Sequence, residues 1–259
     1  MPRTLPILFL MLVALTGRAQ FVTLLDAAPM GECIRLTPDE PYSEGIAYNT
    51  SRIDLRNPFE VDFDVYFGDK NELGADGIAF LLQNDPSGFA ATGIFGEGMG
   101  YGGIAPSVAV EFDTYQNYAR NDPAHDHVNL MVNGVSTHSA PQPEQAASPN
   151  LEDDRLHSFH FRWNPADQSI LVHLDGRVVC QAKSDLINTV FNGNPSVIWG
   201  FTASTGRKHN LQYFCLKRVA SNSPIAPESV PGQTLSAKPA AEGAGLMEFP
   251  EVGGFIKPN

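Results

Sequence analysis

In Phe59-Glu60-Val61-Asp62-Phe63-Asp64-Val65-Tyr66-Phe67, large apolar side chains take every second position, with acids and a tyrosine between them. Side chains alternate across a β-strand, so this pattern buries one face and leaves the other in water. It reads as a half-buried antiparallel strand. The same reading carried outward gives strands at Gly77–Gln83, Ser107–Thr114, His127–Val132, His157–Trp163, Ser169–Leu174, Arg177–Gln181, Val197–Ala203 and Leu211–Lys217. Asp175-Gly176, between two of these, is a two-residue hairpin turn of the type I′ class. Asn84–Pro106 and Asn133–Asn150 are long Gly/Pro/Asn-rich connections, and only Asp185–Phe191 looks helical. The expectation is an all-β protein, a large sandwich of two packed antiparallel sheets.

Composition agrees. The 259 residues include 23 Gly, 20 Pro and 16 Phe, and only 18% are charged, a profile of one large β domain with many turns. Asp and Glu number 29 against 17 Lys and Arg, a net charge of −12. That excess argues against nucleic acid, whose phosphates are bound by neutralising cations. It argues equally against docking on an anionic membrane. The acidity leaves two readings open: simple solvation, or carboxylates gathered around a cation.

The ends are distinct from the body. Arg3 precedes an apolar run from Leu5 to Leu15, and Gly17 and Ala19 stand at −3 and −1 of a cleavage point after Ala19. This describes a secretory leader over 1–19 and places the mature protein outside the cell or on its surface. The run is shorter than the roughly 20 apolar residues a span requires, and no other stretch would cross a bilayer. Residues 20–219 form the expected domain. Residues 220–259 hold six prolines among Ser, Ala and Gly, and read as a linker or disordered tail. Three cysteines allow one disulfide and leave one thiol. The pairing stays open, with Cys33–Cys215 favoured because many sandwiches lay their terminal strands side by side.

The segment with the most chemistry is Val108-Ala-Val-Glu111-Phe-Asp113-Thr-Tyr115-Gln-Asn117-Tyr-Ala-Arg-Asn-Asp122-Pro-Ala-His-Asp-His127. Glu111 and Asp113 are two apart on a strand, so both carboxylates leave one face while Val108, Val110 and Phe112 point into the core. Tyr115 and Asn117 carry the polar side into a loop that returns through Asp122 to His127. Oxygen donors with one imidazole suit two neighbouring cations: a transition metal such as Mn²⁺ takes the histidine with carboxylates, and Ca²⁺ takes oxygens only. The other reading is a strand-end loop of ordinary solvated acids.

These residues resemble the legume-type (L-type) lectins, whose pattern is Glu-x-Asp-x-Tyr-x-Asn, then Asp five residues on and His five further. Positions 111, 113, 115, 117, 122 and 127 reproduce each type and spacing. The resemblance spans about 30–218 and implies a concanavalin-like jelly-roll sandwich in a secreted, bacterial-type member of the family. It implies that Glu111, Asp113, Asp122 and His127 hold Mn²⁺ or another transition metal. Asp113, the Tyr115 carbonyl, Asn117 and Asp122 would hold Ca²⁺. His125 and Asp126 fall outside the pattern and read as loop residues. Ala75-Asp76-Gly77 looks like the family's strand entry, where a cis Ala–Asp peptide presents the Asp to a sugar. Gly96-Glu-Gly98-Met-Gly100-Tyr101-Gly-Gly103 matches the loop that lends the sugar a backbone N–H, with Gly96 and Gly98 as candidates. Trp199–Gly206 resembles the strand entering the family's specificity loop, here the short Arg207-Lys208-His209-Asn210, so Gly206 and Arg207 join the candidate contacts.

The implied function is non-catalytic glycan binding. Asp76 and Asn117 with a loop N–H would grip adjacent sugar hydroxyls, an aromatic (Tyr115 or Tyr118) would stack on the ring, and the metals would position the site from behind. A single shallow site binds weakly, so avidity would call for several copies, for instance a homo-oligomer. Two rivals share the fold class. Laminarinase-like glucanases carry Glu-x-Asp-x-x-Glu, but here Gln116 stands where the second Glu is required, and an amide cannot act as the acid. The other is a structural or adhesive module whose metals only brace the fold. The remaining histidines, among them His138 and His160, look scattered, and Glu152, Asp153 and Asp154 read as solvated acids of a turn.

Overall fold

A computed structural model describes residues 18–138, 150–221 and 236–239. The leader reading falls on residues that are mostly outside these ranges, as does most of the tail. In chain order the strands are β1 (Arg18–Leu25), β2 (Ala28–Met30), β3 (Cys33–Thr37), β4 (Glu44–Asn49), β5 (Ile53–Asp54), β6 (Phe59–Tyr66), β7 (Gly77–Gln83), β8 (Ser107–Asp113), β9 (His127–Val132), β10 (Leu156–Asn164), β11 (Ser169–Leu174), β12 (Arg177–Lys183), β13 (Ser196–Ser204), β14 (Gln212–Ser221) and β15 (Ser236–Pro239). Among the described residues the one α-helix, α1 (Leu186–Thr189), is short and is capped by the Asp185 side chain.

The strands form two antiparallel sheets. The first runs β15-β1-β4-β13-β7-β8-β9, with β5 paired to β13 off this path, and the second runs β12-β11-β10-β6-β14-β3-β2. β6 buries every second residue, the alternation its sequence predicts. The expected strands over 59–217 are all present within a few residues at their ends. β1 to β5 carry weaker alternation, which the sequence pattern does not mark as strands, and β15 adds a strand to β1 inside the segment expected as a tail. Asp175 and Gly176 both have positive φ, as a type I′ turn requires.

Between the sheets lies an aromatic core. Phe63 of β6 packs edge-on against Phe201 of β13 at 4.7 Å, and Phe201 stacks on Phe214 of β14 at 4.3 Å. A second, smaller cluster covers the outer face of the first sheet, where Met99, Tyr101 and Ile104 of the Gly-rich connection pack on Tyr48, Ala79, Leu81 and Ala109. This explains why β7 and β8 are buried along their whole length, on both faces. Cys33 and Cys215 form a disulfide between the adjacent strands β3 and β14. Cys180 is buried and free, its thiol on the Val128 carbonyl at 3.4 Å.

Strand register places the candidate residues together. Ser204 pairs with Gly77, Gly77 with Asp113, and Asp113 with His127, a row across the ends of four neighbouring strands. Asp76 and Gly206 continue from the ends of that row.

Candidate metal and sugar site

Glu111 and Asp113 leave the same face of β8, as their spacing predicts, while Val108, Val110 and Phe112 join the inter-sheet core. Both acids are buried, and so are Asp122 and His127. Asp113 Oδ1 accepts the Tyr115 N–H at 2.8 Å, and Asp122 Oδ2 accepts the Asn117 N–H at 2.7 Å. These two bonds fold the 114–122 loop back over the strand end. His127 lies with Nδ1 3.2 Å from the His125 carbonyl, which suits an Nδ1–H donor and leaves Nε2 facing the acids. Asp113 Oδ2 and His127 Nε2 are 3.9 Å apart. Asp113, Asp122 and His127 offer donor atoms within 4.8 Å of one another, and so do Glu111, His127 and His138.

The electrostatics of this cluster call for a cation. Burial, then the neighbouring Glu111 and Asp122, push the Asp113 carboxyl well above the ordinary range. Glu111 Oε1, Asp122 Oδ1 and Asn117 Oδ1 are buried without a hydrogen-bond partner. Leaving buried oxygens unmatched costs about 1–3 kcal/mol each, and two neighbouring divalent ions would satisfy them, one with carboxylate and imidazole donors and one with oxygens only. The residues present therefore fit the two-ion reading.

His138 was not singled out by the sequence, and it is the main addition. It lies 11 residues beyond His127, outside the motif. Only tertiary structure brings it in, through its own N–H to the Arg120 carbonyl at 2.8 Å and the Asn121 side chain to its carbonyl at 2.9 Å. Burial disfavours its charged form, but the adjacent Asp122 and Glu111 carboxylates outweigh that and raise it to about 9. Tyr101 is a second addition: the Gly-rich connection was read for its glycines, yet its tyrosine donates to Glu111 Oε2 at 2.5 Å.

The candidate sugar contacts divide. The Ala75–Asp76 peptide is cis, as the resemblance implies. The Asp76 N–H donates to the Ser204 carbonyl at 3.0 Å and its own carbonyl accepts the Thr114 N–H at 3.1 Å. Its Oδ2 is buried and unpaired, and burial, then the nearby Glu97, raises the carboxyl to about 7. A Cβ placed on Gly96 or Gly206 would stand 4.0 or 3.6 Å from that oxygen, so both glycines border Asp76. Gly98 does not. A Cβ there would meet Ile94 at 2.9 Å, so Gly98 serves the packing of its own loop, and of the two candidates Gly96 is the one beside the carboxylate. Arg207 is exposed on the loop beyond Gly206. Lys208 sits over the Tyr115 ring at 4.9 Å, while Tyr118 is 83% exposed.

One reading of the acids needs correction. Glu152 is not a solvated acid: it is buried, with Oε1 accepting from the Asn210 side chain at 2.7 Å. Burial, then Asp126, raises it to about 9. Asn210, the last residue of the short specificity loop, is fully buried and ties Lys70, Thr37 and Glu152 together. Asp126 is a loop residue as expected, and it is buried, accepting the Leu151 N–H. Asp153 and Asp154 are turn acids as expected, paired to Arg155 and Tyr66.

A two-sheet antiparallel sandwich with a cis Ala–Asp peptide beside a buried carboxylate–imidazole cluster defines a lectin-type jelly roll. The match to the family described as the legume lectin beta-barrel domain, the L-type lectin domain, covers residues 12–218, and the chain belongs to that family. A lectin from Leucomphalos mildbraedii is 27% identical over 158 residues, covering 58% of this chain and 62% of the relative. The 2-acetamido-2-deoxy-D-galactose-binding seed lectin 2 of Cytisus scoparius is 24% identical over 219 residues, covering 77% and 82%. The chain thus spans less than two thirds of the Leucomphalos lectin it matches. Among solved structures, the Bauhinia forficata lectin in complex with GalNAc superposes with a TM-score of 0.61 at 20% identity, over 76% of this chain and 90% of that one. Family membership places the chain among non-catalytic proteins. Gln116, at the position a glucanase would give its second acid, donates to the Asp122 carbonyl at 3.3 Å.

Proposed function

We propose that this protein is a secreted, metal-dependent glycan-binding lectin, with Asp76, Asn117 and the Gly96 backbone as its hydrogen-bonding core and Gly206 and Arg207 at its rim. The observation that carries the reading is the Asp76 carboxylate oxygen, buried and unpaired between Gly96 and Gly206 and next to the acidic cluster. An ionised carboxylate there would accept charge-assisted hydrogen bonds from two vicinal hydroxyls. Glu111, Asp113, Asp122 and His127 would hold Mn²⁺ or a similar ion, and Asp113, the Tyr115 carbonyl, Asn117 and Asp122 would hold Ca²⁺. The ions supply fixed positive charge that locks the 114–122 loop, and this chain's residues do the recognition. Tyr118, exposed, is the better placed ring for stacking, because the Tyr115 face already carries Lys208.

Galactose and 2-acetamido-2-deoxy-galactose are the first sugars to test, since relatives from Arachis hypogaea and Cytisus scoparius are named for binding them. Export is supported by the Cys33–Cys215 disulfide, which persists in oxidising compartments, together with the basic-then-apolar start of the chain. A homo-oligomer would raise the avidity of a weak single site. A glycan array read with added Ca²⁺ and Mn²⁺, and again in chelator, tests the reading. It predicts binding that chelator removes and that Asp76→Asn abolishes while the fold is kept. Retained binding in Asp76→Asn would refute the site.

A further inference from the structure

Four donor atoms meet around His138. Its Nε2 is 3.1 Å from Glu111 Oε1, 3.3 Å from Asp122 Oδ1 and 3.2 Å from His127 Nε2. One ring nitrogen carries at most one proton, so hydrogen bonding can serve only one of these three neighbours. The third neighbour is itself an imidazole nitrogen whose lone pair faces inward. Glu111 Oε1 and Asp122 Oδ1 remain without a hydrogen bond of acceptable geometry despite this crowding. The spacings have another meaning. Ligands held about 2.1–2.2 Å from a metal at right angles stand roughly 3.0–3.1 Å apart, close to the three separations found here.

We propose that His138 is a fifth protein ligand of the transition-metal site, making it a two-imidazole, three-carboxylate centre built from Glu111, Asp113, Asp122, His127 and His138. The proposal rests on the reading of the first four as a metal site and adds the residue that sequence spacing did not reach. The ring is held for this task. Its backbone is pinned by Arg120 and Asn121, and the Asn129 side-chain amide lies 3.4 Å from Nδ1. Turning that amide over presents its carbonyl to an Nδ1–H, the arrangement that orients ligating histidines. Asn129 is the direct cross-strand partner of Glu111, so ligand and orienter are set by one register.

A second imidazole changes which ion the site prefers. Imidazole suits Zn²⁺ and Co²⁺ better than Mn²⁺, and affinities climb in that direction. The site should therefore favour Zn²⁺ or Co²⁺ over Mn²⁺ more strongly than a one-histidine site would.

The test is calorimetric titration of the full chain with Zn²⁺, Co²⁺, Mn²⁺ and Ca²⁺, for the parent, His138→Ser, His138→Gln and His127→Ala. Absorption spectra of the Co²⁺ forms are the second readout. Melting in chelator confirms that each variant folds. We expect His138→Ser to lose about 10–100-fold in Zn²⁺ and Co²⁺ affinity, with a smaller loss for Mn²⁺, an altered Co²⁺ spectrum and nearly unchanged Ca²⁺ binding. Parent-like Zn²⁺ affinity and an unchanged Co²⁺ spectrum in His138→Ser would overturn this inference while leaving the metal reading intact. A parent protein that binds none of the transition metals would overturn both. Tighter binding in His138→Ser than in the parent would show that the ring excludes the ion, again overturning the proposal.

Discussion

The Tyr101 hydroxyl donates to Glu111 Oε2 at 2.5 Å, joining the Gly-rich connection to the carboxylate cluster inside the protein. The two residues are ten apart in sequence, yet the bond closes a layer: Tyr101 packs in the outer cluster with Met99 and Ile104, over the face of β7 and β8. The loop that borders Asp76 is thus anchored on the acid that begins the metal motif. The Arg120 guanidinium adds a second tie to the same loop, through Glu97 at 2.6 Å.

Tyr101→Phe should expose the consequence of that bond. The ring stays in place while Glu111 Oε2 loses its donor, so metal affinity should fall about 10-fold, as for other groups that orient ligands. Stability should fall by about 1–3 kcal/mol in chelator, the cost of a buried acceptor left unmatched. Titration calorimetry and thermal melts measure the two effects separately.

Metal removal should destabilise the parent protein. An ion that binds only the folded chain adds stability by mass action, about 2.7 kcal/mol when its concentration is 100 times its Kd. The three buried acids Glu111, Asp113 and Asp122 then lose the charge that balances them. Scanning calorimetry with Ca²⁺ plus Zn²⁺, against the same scan in EDTA, should show a Tm several degrees lower in chelator. Equal Tm values would contradict ion binding at this cluster.

Much of this is legible in the amino-acid sequence alone. β6 announced itself because its period-2 pattern faces a core on one side and water on the other. Glu111 and Asp113 were legible because strand geometry fixes two-apart residues on one face. Cys33–Cys215 is only favoured by the sequence, on the expectation that terminal strands lie together, and the pairing of β3 with β14 settles it. What stayed hidden depended on contacts distant in sequence. His138 enters the cluster through a loop closure onto Arg120 that no local pattern encodes. Glu152 sits in a run of three acids, and charge alone could not say that it turns inward to Asn210 while Asp154 stays out. Likewise Gly96 and Gly98 are equivalent in sequence, and only the position of Ile94 separates them.

Gly206→Ala isolates the sugar site from the fold. The added methyl would lie 3.6 Å from Asp76 Oδ2, at ordinary contact distance, and Gly206 does not adopt a positive φ. Stability should therefore change by no more than about 0.5 kcal/mol, as for surface substitutions generally. Glycan binding should drop sharply, because the methyl fills space beside the carboxylate that a sugar hydroxyl must reach. Gly200→Ala is the contrasting control: its Cβ would come 2.0 Å from the Ala47 carbonyl oxygen, so it should damage the sheet itself. Surface plasmon resonance on the best array ligand, with melts of both variants, checks the pair. Full binding by Gly206→Ala would remove Gly206 from the site.

Glu152 gives stability a specific pH dependence. Its folded pKa is about 9 because it is buried and faces Asp126, whereas an unfolded glutamate titrates near 4.3. Below pH ~4 the carboxyl is protonated in both states and opposes nothing. Between pH ~4 and 9 the unfolded chain releases this proton and the folded chain holds it, so the contribution of Glu152 to stability is lost steadily as pH rises. Glu152→Gln keeps an amide oxygen to accept from Asn210 and removes the titration. The variant should match the parent near pH 4.5 and exceed it by on the order of 1–3 kcal/mol at pH 8. Denaturant unfolding of both proteins across pH 4.5–8.5 in chelator measures the difference. A gap that stays near zero up to pH 8, or a parent that becomes the more stable of the two, would mean that Glu152 is ionised in the fold and balanced by side chains such as Lys208 and Asn210.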